Sequence, residues 1–287
     1  MNLKEVKQRI LSVKGTQKIT SAMKLVSAAK LRRVQGAIEN MRPYQQRLDA
    51  MLSSFLGTLS EASSPYTLVK KVKRVVVIPV ASDSSLCGSF NSNVIRLAKD
   101  VIDEYVKQGI EIDVMPVGRK MIDAVSKMGV HCDETLMEFC ATPKYVPLAV
   151  VANSLMEKFI SDRIDRVELV YTHFHSAAKQ IPVREQFLPI EKELITSDKV
   201  VAVNSFIIEP SKSELLATLL PKVISLKLYT ALLDSTAAEH AARMLAMQIA
   251  TDNAEDLISE LTLEYNKGRQ QAITNELLDI VAGSANG

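Results

Sequence analysis

Between Lys212 and Ala282 the chain carries one proline, Pro221, and one glycine, Gly268, in about seventy residues dominated by Ala, Leu, Glu, Lys, Gln and Met. These are good helix formers. Pairs spaced i, i+4 recur in steps of seven: Leu233 with Ala237, Met247 with Thr251, Ala254 with Ile258, Leu261 with Tyr265. That pattern predicts a heptad-like seam on one long helix. At 1.5 Å per residue, ~70 residues span roughly 105 Å. No ordinary domain is that wide, so the helix must protrude from its domain or be sheathed by other chains.

A second seam lies at the other end. Alternate steps of three and four from Leu3 give Val6, Ile10, Val13, Gln17, Thr20, Lys24, Ser27, Leu31, Val34, Ile38, Met41, Gln45, Leu48, Leu52, Phe55 and Leu59, and twelve of the seventeen positions are apolar. This is the 3.5-residue spacing of a coiled coil. The seam turns polar from Gln17 to Ser27, so the helix there is either loosely packed or turned toward something else. Gly15 and Gly36 weaken it locally, and Pro43 is expected to kink it. The predicted architecture is an antiparallel coiled coil of N-terminal (1–60) and C-terminal (210–287) helices, with a further domain between them.

That middle part, 70–205, changes period. VKRVVVIPVAS reads as a strand buried on both faces. Residues 91–107 read as a helix with Asn91 or Ser92 as N-cap and Gly109 as the stop. IEIDVMPVG is a second strand, RKMIDAVSKMG a helix ending at Gly129, 145–161 a third helix, RVELVYTHF a third strand, and QIPVREQFLPI a further extended segment. Alternating strands and helices predict an inserted, Rossmann-like, open and mainly parallel α/β domain.

Chemistry is sparse. The loop ASDSSLCGSFNSN has only Gly88, with neither GxGxxG nor GxxxxGK[ST], so no phosphate cradle is expected. Ser84, Ser85 and Cys87 lack a histidine base in any recognisable motif, the four histidines being His131, His173, His175 and His240. His131, Cys132 and Cys140 lack zinc-site spacing. Three cysteines argue against a disulfide framework and for a reducing compartment. No run of 18 apolar residues is present, and no signal h-region is read at the N-terminus. Charge is uneven. Residues 1–42 hold ten Lys and Arg against Glu5 and Glu39, whereas 252–287 hold seven acids against Lys267 and Arg269. The basic helix leaves two readings open: half of a solvated helical pair, or a nucleic-acid or membrane surface. An α/β enzyme with a coiled-coil dimerisation arm is a further alternative, and it lacks a ligand loop.

Two polar stretches narrow the choice: Thr16-Gln17-Lys18-Ile19-Thr20-Ser21-Ala22-Met23-Lys24 and Tyr265-Asn266-Lys267-Gly268-Arg269-Gln270-Gln271-Ala272-Ile273-Thr274. With TQKITSAMKLVSAAKLRR, Arg42-Pro43-Tyr44, Ser82-Asp83, Leu86-Cys87-Gly88, Phe90-Asn91-Ser92-Asn93 and EHAARMLAMQIATDNA, the chain resembles, over nearly its whole length, the gamma subunit of bacterial F-type ATP synthase. Two departures stand out: Ser84-Ser85 replaces the family's Arg-Gly, and Gly268 its usual Ala. The resemblance implies a central-stalk rotor that couples proton-driven rotation of the membrane c-ring to the catalytic sites of a ring of three alpha and three beta subunits. It implies no catalytic residue, cofactor or metal in this chain. It also implies beta-subunit contacts at Met23, Arg243, Arg269, Gln270 and Thr274, and contacts with the c-ring and epsilon subunit at Arg42, Tyr44, Phe206, Ile208 and Glu209. The implied place is peripheral, on the cytoplasmic face of the bacterial cell membrane, with no nucleic-acid partner.

Overall fold

The structure is a computed structural model that describes residues 3–56, 65–133, 136, 139, 140, 142–190 and 212–285. The foot residues Phe206, Ile208 and Glu209 lie outside them. Helix α1 spans Leu3–Leu56 and helix α5 spans Lys212–Ala285. Each runs on through its internal proline, Pro43 or Pro221. A proline costs one hydrogen bond of the ladder, and neither Pro43 nor Gly15 and Gly36 interrupts α1.

Between them come β1 (Arg74–Pro79), α2 (Phe90–Lys107), β2 (Glu111–Val114), α3 (Arg119–Val125), β3 (His131–Cys132), α4 (Tyr145–Ile160), β4 (Arg166–Phe174) and β5 (Gln180–Leu188). The sheet order is β3-β2-β1-β4-β5, parallel except for β5, which returns antiparallel along β4. The expected open, mainly parallel sheet is therefore present, with one antiparallel edge. Strand β3 carries no sequence signal because only two residues pair. A second difference concerns the start of α2. Ser89 occupies its N-cap position without a side-chain cap bond, and the Asn91 amide, expected as a cap, turns to the preceding loop instead.

Contacts divide the chain into two compact units, one of 1–28 with 243–287 and one of 29–242. In the second unit the period-2 alternation of β1 sorts its side chains. Val75 and Val77 face α2 and α3 beside Val94, Ile102 and Met121. Val76 and Ile78, with Val80 just past the end of the strand, face α4 and α5 beside Leu155, Phe159, Ile224 and Leu228. Each such side chain contributes about 1.5–3 kcal/mol on burial. This is why β1 reads as an unbroken apolar run. A smaller cluster joins Leu48 of α1 to Leu219, Leu220 and Leu226 of α5.

In the first unit the two helices continue side by side. Val6, Thr20 and Ser27 are buried on α1, and Met247, Ala254 and Leu261 on α5, each set following the sevenfold step. Thr20 Oγ1 lies 2.8 Å from Thr251 Oγ1. Thr20 of α1 meets Thr251 of α5, whereas Leu48 clusters with Leu219, Leu220 and Leu226, so higher numbers on α1 go with lower numbers on α5, the antiparallel sense expected of the pair.

Candidate interaction surfaces

On α1 the ordinary amphipathic order is reversed. Where the seam turns polar, Thr20 and Ser27 face inward at 9% and 3% exposure, while Leu11, Ile19, Leu25 and Val26 are 62%, 62%, 66% and 55% exposed. At 100° per residue the outward set is centred roughly 170° round the helix from the seam. The inward hydroxyls are satisfied locally: Ser27 Oγ donates to the Met23 carbonyl at 2.8 Å, and Thr20 reaches Thr251. Four large apolar side chains thus stand in solvent while small polar ones fill the interior. Lys7, Lys14 and Lys18, all exposed, fall on the same outward side. Met23 sits at the edge of this face, half-buried.

Helix α5 shows a second unpartnered surface. Every residue from 269 to 281 is exposed, including Ile273, Leu277, Leu278 and Ile280. Arg269, Gln270 and Thr274 lie here. Gln270 and Thr274 share a face, and Thr274 Oγ1 donates to the Gln270 carbonyl at 2.9 Å, so its one proton is spent inside the helix. Arg243, placed with these residues by the resemblance, is instead buried at 8% exposure.

In the second unit Arg42 and Tyr44 are exposed on α1. The Tyr145 ring stands edge-on to Tyr229 at 5.8 Å. Burial first, and then nearby Tyr44, push the Tyr145 hydroxyl above the ordinary tyrosine range.

The β1–α2 loop is closed on itself. Asn91 Oδ1 accepts the Ser82 N–H at 3.0 Å, and Asn91 Nδ2 donates to Ser82 Oγ at 2.8 Å and to Cys87 Sγ at 3.2 Å. Asp83 Oδ1 accepts the Arg119 N–H at 3.0 Å, satisfying an orphan donor at the start of α3. Gly118, at φ +87°, passes so near this loop that a Cβ would stand 2.3 Å from the Ala81 carbonyl oxygen. Cys87 is buried beside Phe90, Ala238 and Ala242. Two of the histidines have carboxylate partners, His131 with Asp113 at 3.1 Å and His173 with Asp234 at 2.5 Å.

Sequence reading missed two polar clusters. Glu168, 3% exposed, accepts from Tyr105 and from Arg184 Nε at 2.6 Å, and Arg184 also reaches Glu104. Burial and then Glu168 hold the Tyr105 hydroxyl above its usual range, and the bond to Glu168 pushes the Arg184 guanidinium further up. Glu168 is thus a buried charge paired with a partly exposed arginine, whose other carboxylate partner, Glu104, stands at the surface. The other cluster joins Lys227 and Asp234 of α5 to the β4–β5 hairpin. Among the described residues no group of three or more His, Cys, Asp and Glu is placed to hold a metal ion, and no helix is long and apolar enough to cross a membrane.

A chain with this geometry belongs to the class of subunits that act through surfaces: two long terminal helices that run antiparallel, an α/β sheet inserted between them in the chain, and apolar residues displayed outward. A family model described as ATP synthase matches residues 2–286. The ATP synthase gamma chain of Bacteroides fragilis is 51% identical over 286 residues, covering 99% of each chain. That of Flavobacterium johnsoniae is 45% identical, covering 99% of this chain and 98% of its own. Among solved structures, a chain of the Euglena gracilis mitochondrial ATP synthase, in an assembly of OSCP, F1 and c-ring, has a TM-score of 0.64 at 19% identity, covering 99% of this chain and 93% of its own. A chain of the same organism's ATP synthase rotor has a TM-score of 0.60 at 18% identity, covering 94% and 98%. The chain belongs to the ATP synthase gamma chain family. In that family the gamma chain is a non-catalytic subunit, the central-stalk rotor that couples rotation to the catalytic sites carried by other subunits.

Proposed function

We propose that the outward apolar face of α1 and the exposed end of α5 are the bearing surfaces of this rotor, enclosed by three alpha and three beta subunits. On this reading Met23, Arg243, Arg269, Gln270 and Thr274 serve the beta subunits, Arg243 from within the helix pair by holding the surface in place. Arg42 and Tyr44, with Phe206, Ile208 and Glu209, serve the c-ring and epsilon subunit. The complex sits on the cytoplasmic face of the bacterial membrane.

The observation that carries the reading is the reversed α1. Four large apolar side chains left in water are a standing loss of about 1.5–3 kcal/mol each relative to burial. A second surface must recover it, and the lysines beside them favour one with acidic side chains. Leu11→Ser with Ile19→Ser tests this. Both residues point away from α5, so the variant chain keeps its thermal unfolding midpoint. Its binding to the alpha–beta hexamer weakens by about tenfold or more. Unchanged binding by a folded variant would refute the assignment.

A further inference from the structure

Helix α5 is seated on the sheet by contacts of two kinds. Ile224, Leu228 and Leu232 are buried against β1, β4 and α4. These contacts hold the helix down, but apolar attraction has no direction, and it resists a roll of the helix about its own axis only weakly. Polar contacts do have direction. Lys227 Nζ donates to the Gln186 carbonyl at 2.7 Å and pairs with Glu185 Oε1 at 3.0 Å. Glu185 is itself held by the Tyr171 hydroxyl, which donates to Oε2 at 2.9 Å. Seven residues on, Asp234 uses both oxygens. Oδ1 accepts the Phe174 N–H at 3.1 Å, and Oδ2 meets His173 Nδ1 at 2.5 Å. Two turns put Lys227 and Asp234 on one face of α5, about 10 Å apart along its axis. They grip the β4–β5 hairpin at different points along its length, Lys227 on β5 and Asp234 at the end of β4.

We propose that Lys227 and Asp234 form a torsional lock that stops α5 turning on the sheet, so that rotation of the sheet domain is delivered to the helix. The geometry sets how little slip it allows. A roll of ~20° moves a side-chain head at a radius of ~6 Å by ~2 Å. A hydrogen bond is lost over that distance. Both clamps face the same hairpin, so one roll breaks both and leaves Asp234, only one-fifth exposed, with two unpaired acceptors. A rotor subunit loads this mode of motion whenever torque passes between the sheet and the helix. The inference rests on the rotor function, and the two are tested apart.

The experiment uses the whole complex in membrane vesicles, with Lys227→Met and Asp234→Leu singly and together, and Lys227→Arg as the conservative control. Subunit stoichiometry, ATP hydrolysis and ATP-driven proton pumping are read on the same sample. The double variant is expected to assemble and to hydrolyse ATP within about twofold of wild type, while protons pumped per ATP fall by about threefold or more. Each single variant falls part of the way, and Lys227→Arg stays near wild type. Unchanged pumping per ATP in the double variant overturns the lock. If the double variant does not assemble, unchanged pumping in both single variants overturns it equally. Failure of the wild-type chain to assemble with alpha and beta subunits would instead overturn the rotor reading.

Discussion

Thr20 and Thr251 share one proton too few. Thr20 Oγ1 lies within bonding distance of the Gln17 carbonyl at 3.0 Å, Thr251 Oγ1 lies 2.7 Å from the Met247 carbonyl, and the two hydroxyl oxygens are 2.8 Å apart. A threonine hydroxyl has a single hydrogen to donate. Three contacts therefore share two protons, and one helix carbonyl forgoes its threonine whenever the bridge between helices is made. This predicts an unusual mutational pattern. Thr20→Val alone leaves Thr251 free to donate to Met247, so no buried hydroxyl is orphaned, and the same holds in reverse. Each single variant should cost less than about 1 kcal/mol. The double-mutant cycle should still show a coupling of about 0.5–1 kcal/mol in denaturant unfolding of the chain. A coupling below about 0.3 kcal/mol, the ordinary limit of additivity, would mean that the bridge contributes nothing to the helix pair.

Among the elements, α5 shows how local electrostatics and anchoring meet. Burial raises the Asp234 carboxyl above its ordinary range, against the pull of His173 and the Phe174 amide. A carboxyl whose folded value lies above the unfolded 3.8 holds its proton more tightly when folded. Its stabilising share is full below the unfolded value and is lost as pH rises through the folded one. Asp234→Asn removes that titration. As pH rises from the unfolded value through the higher folded one, unfolding free energy measured in denaturant should fall for the wild type relative to the variant. A constant gap would contradict the raised value. The element itself was legible in sequence, because seven-residue spacing and the scarcity of proline mark a long helix whatever it packs on. The α1 seam also announced its polar stretch at Gln17–Ser27. Its outward Leu11, Ile19, Leu25 and Val26 did not stand out, since a single helix carries no mark of which side its partner takes. Strand β1 could be read because both its faces are buried. Lys227 and Asp234 could not, because their partners stand 41 and 60 residues away and are brought near only by the β4–β5 register. Asn91 misled because its side chain can cap a helix or brace a loop equally well.

For the molecule as a whole, the catalytic sites lie in other subunits, and on the bearing-surface assignment proposed above this chain acts on them through bonds that differ from one orientation to the next, which is a coupling free energy between distant sites. Such bonds need side chains with spare donors on a surface the chain leaves open. The exposed run at 269–281 supplies that surface. Arg269 offers five donors and Gln270 both donors and an acceptor, whereas the Thr274 hydroxyl already donates to the Gln270 carbonyl. A charge-assisted hydrogen bond is worth about 1.5–3 kcal/mol, a factor of roughly ten to a hundred in rate if it is made only in the state that advances the reaction. We therefore expect Arg269→Ala with Gln270→Ala to lower ATP turnover per assembled complex by about tenfold or more. Subunit stoichiometry should be unchanged, because neither side chain takes part in the helix pair. Thr274→Ala should change turnover by no more than about twofold, its proton being spent within the helix. Turnover at the wild-type level in the double variant, on a sample with verified stoichiometry, would show these residues to be no more than a solvated helix face. Loss of assembly in proportion to turnover would show them to be a static grip, with no part in coupling.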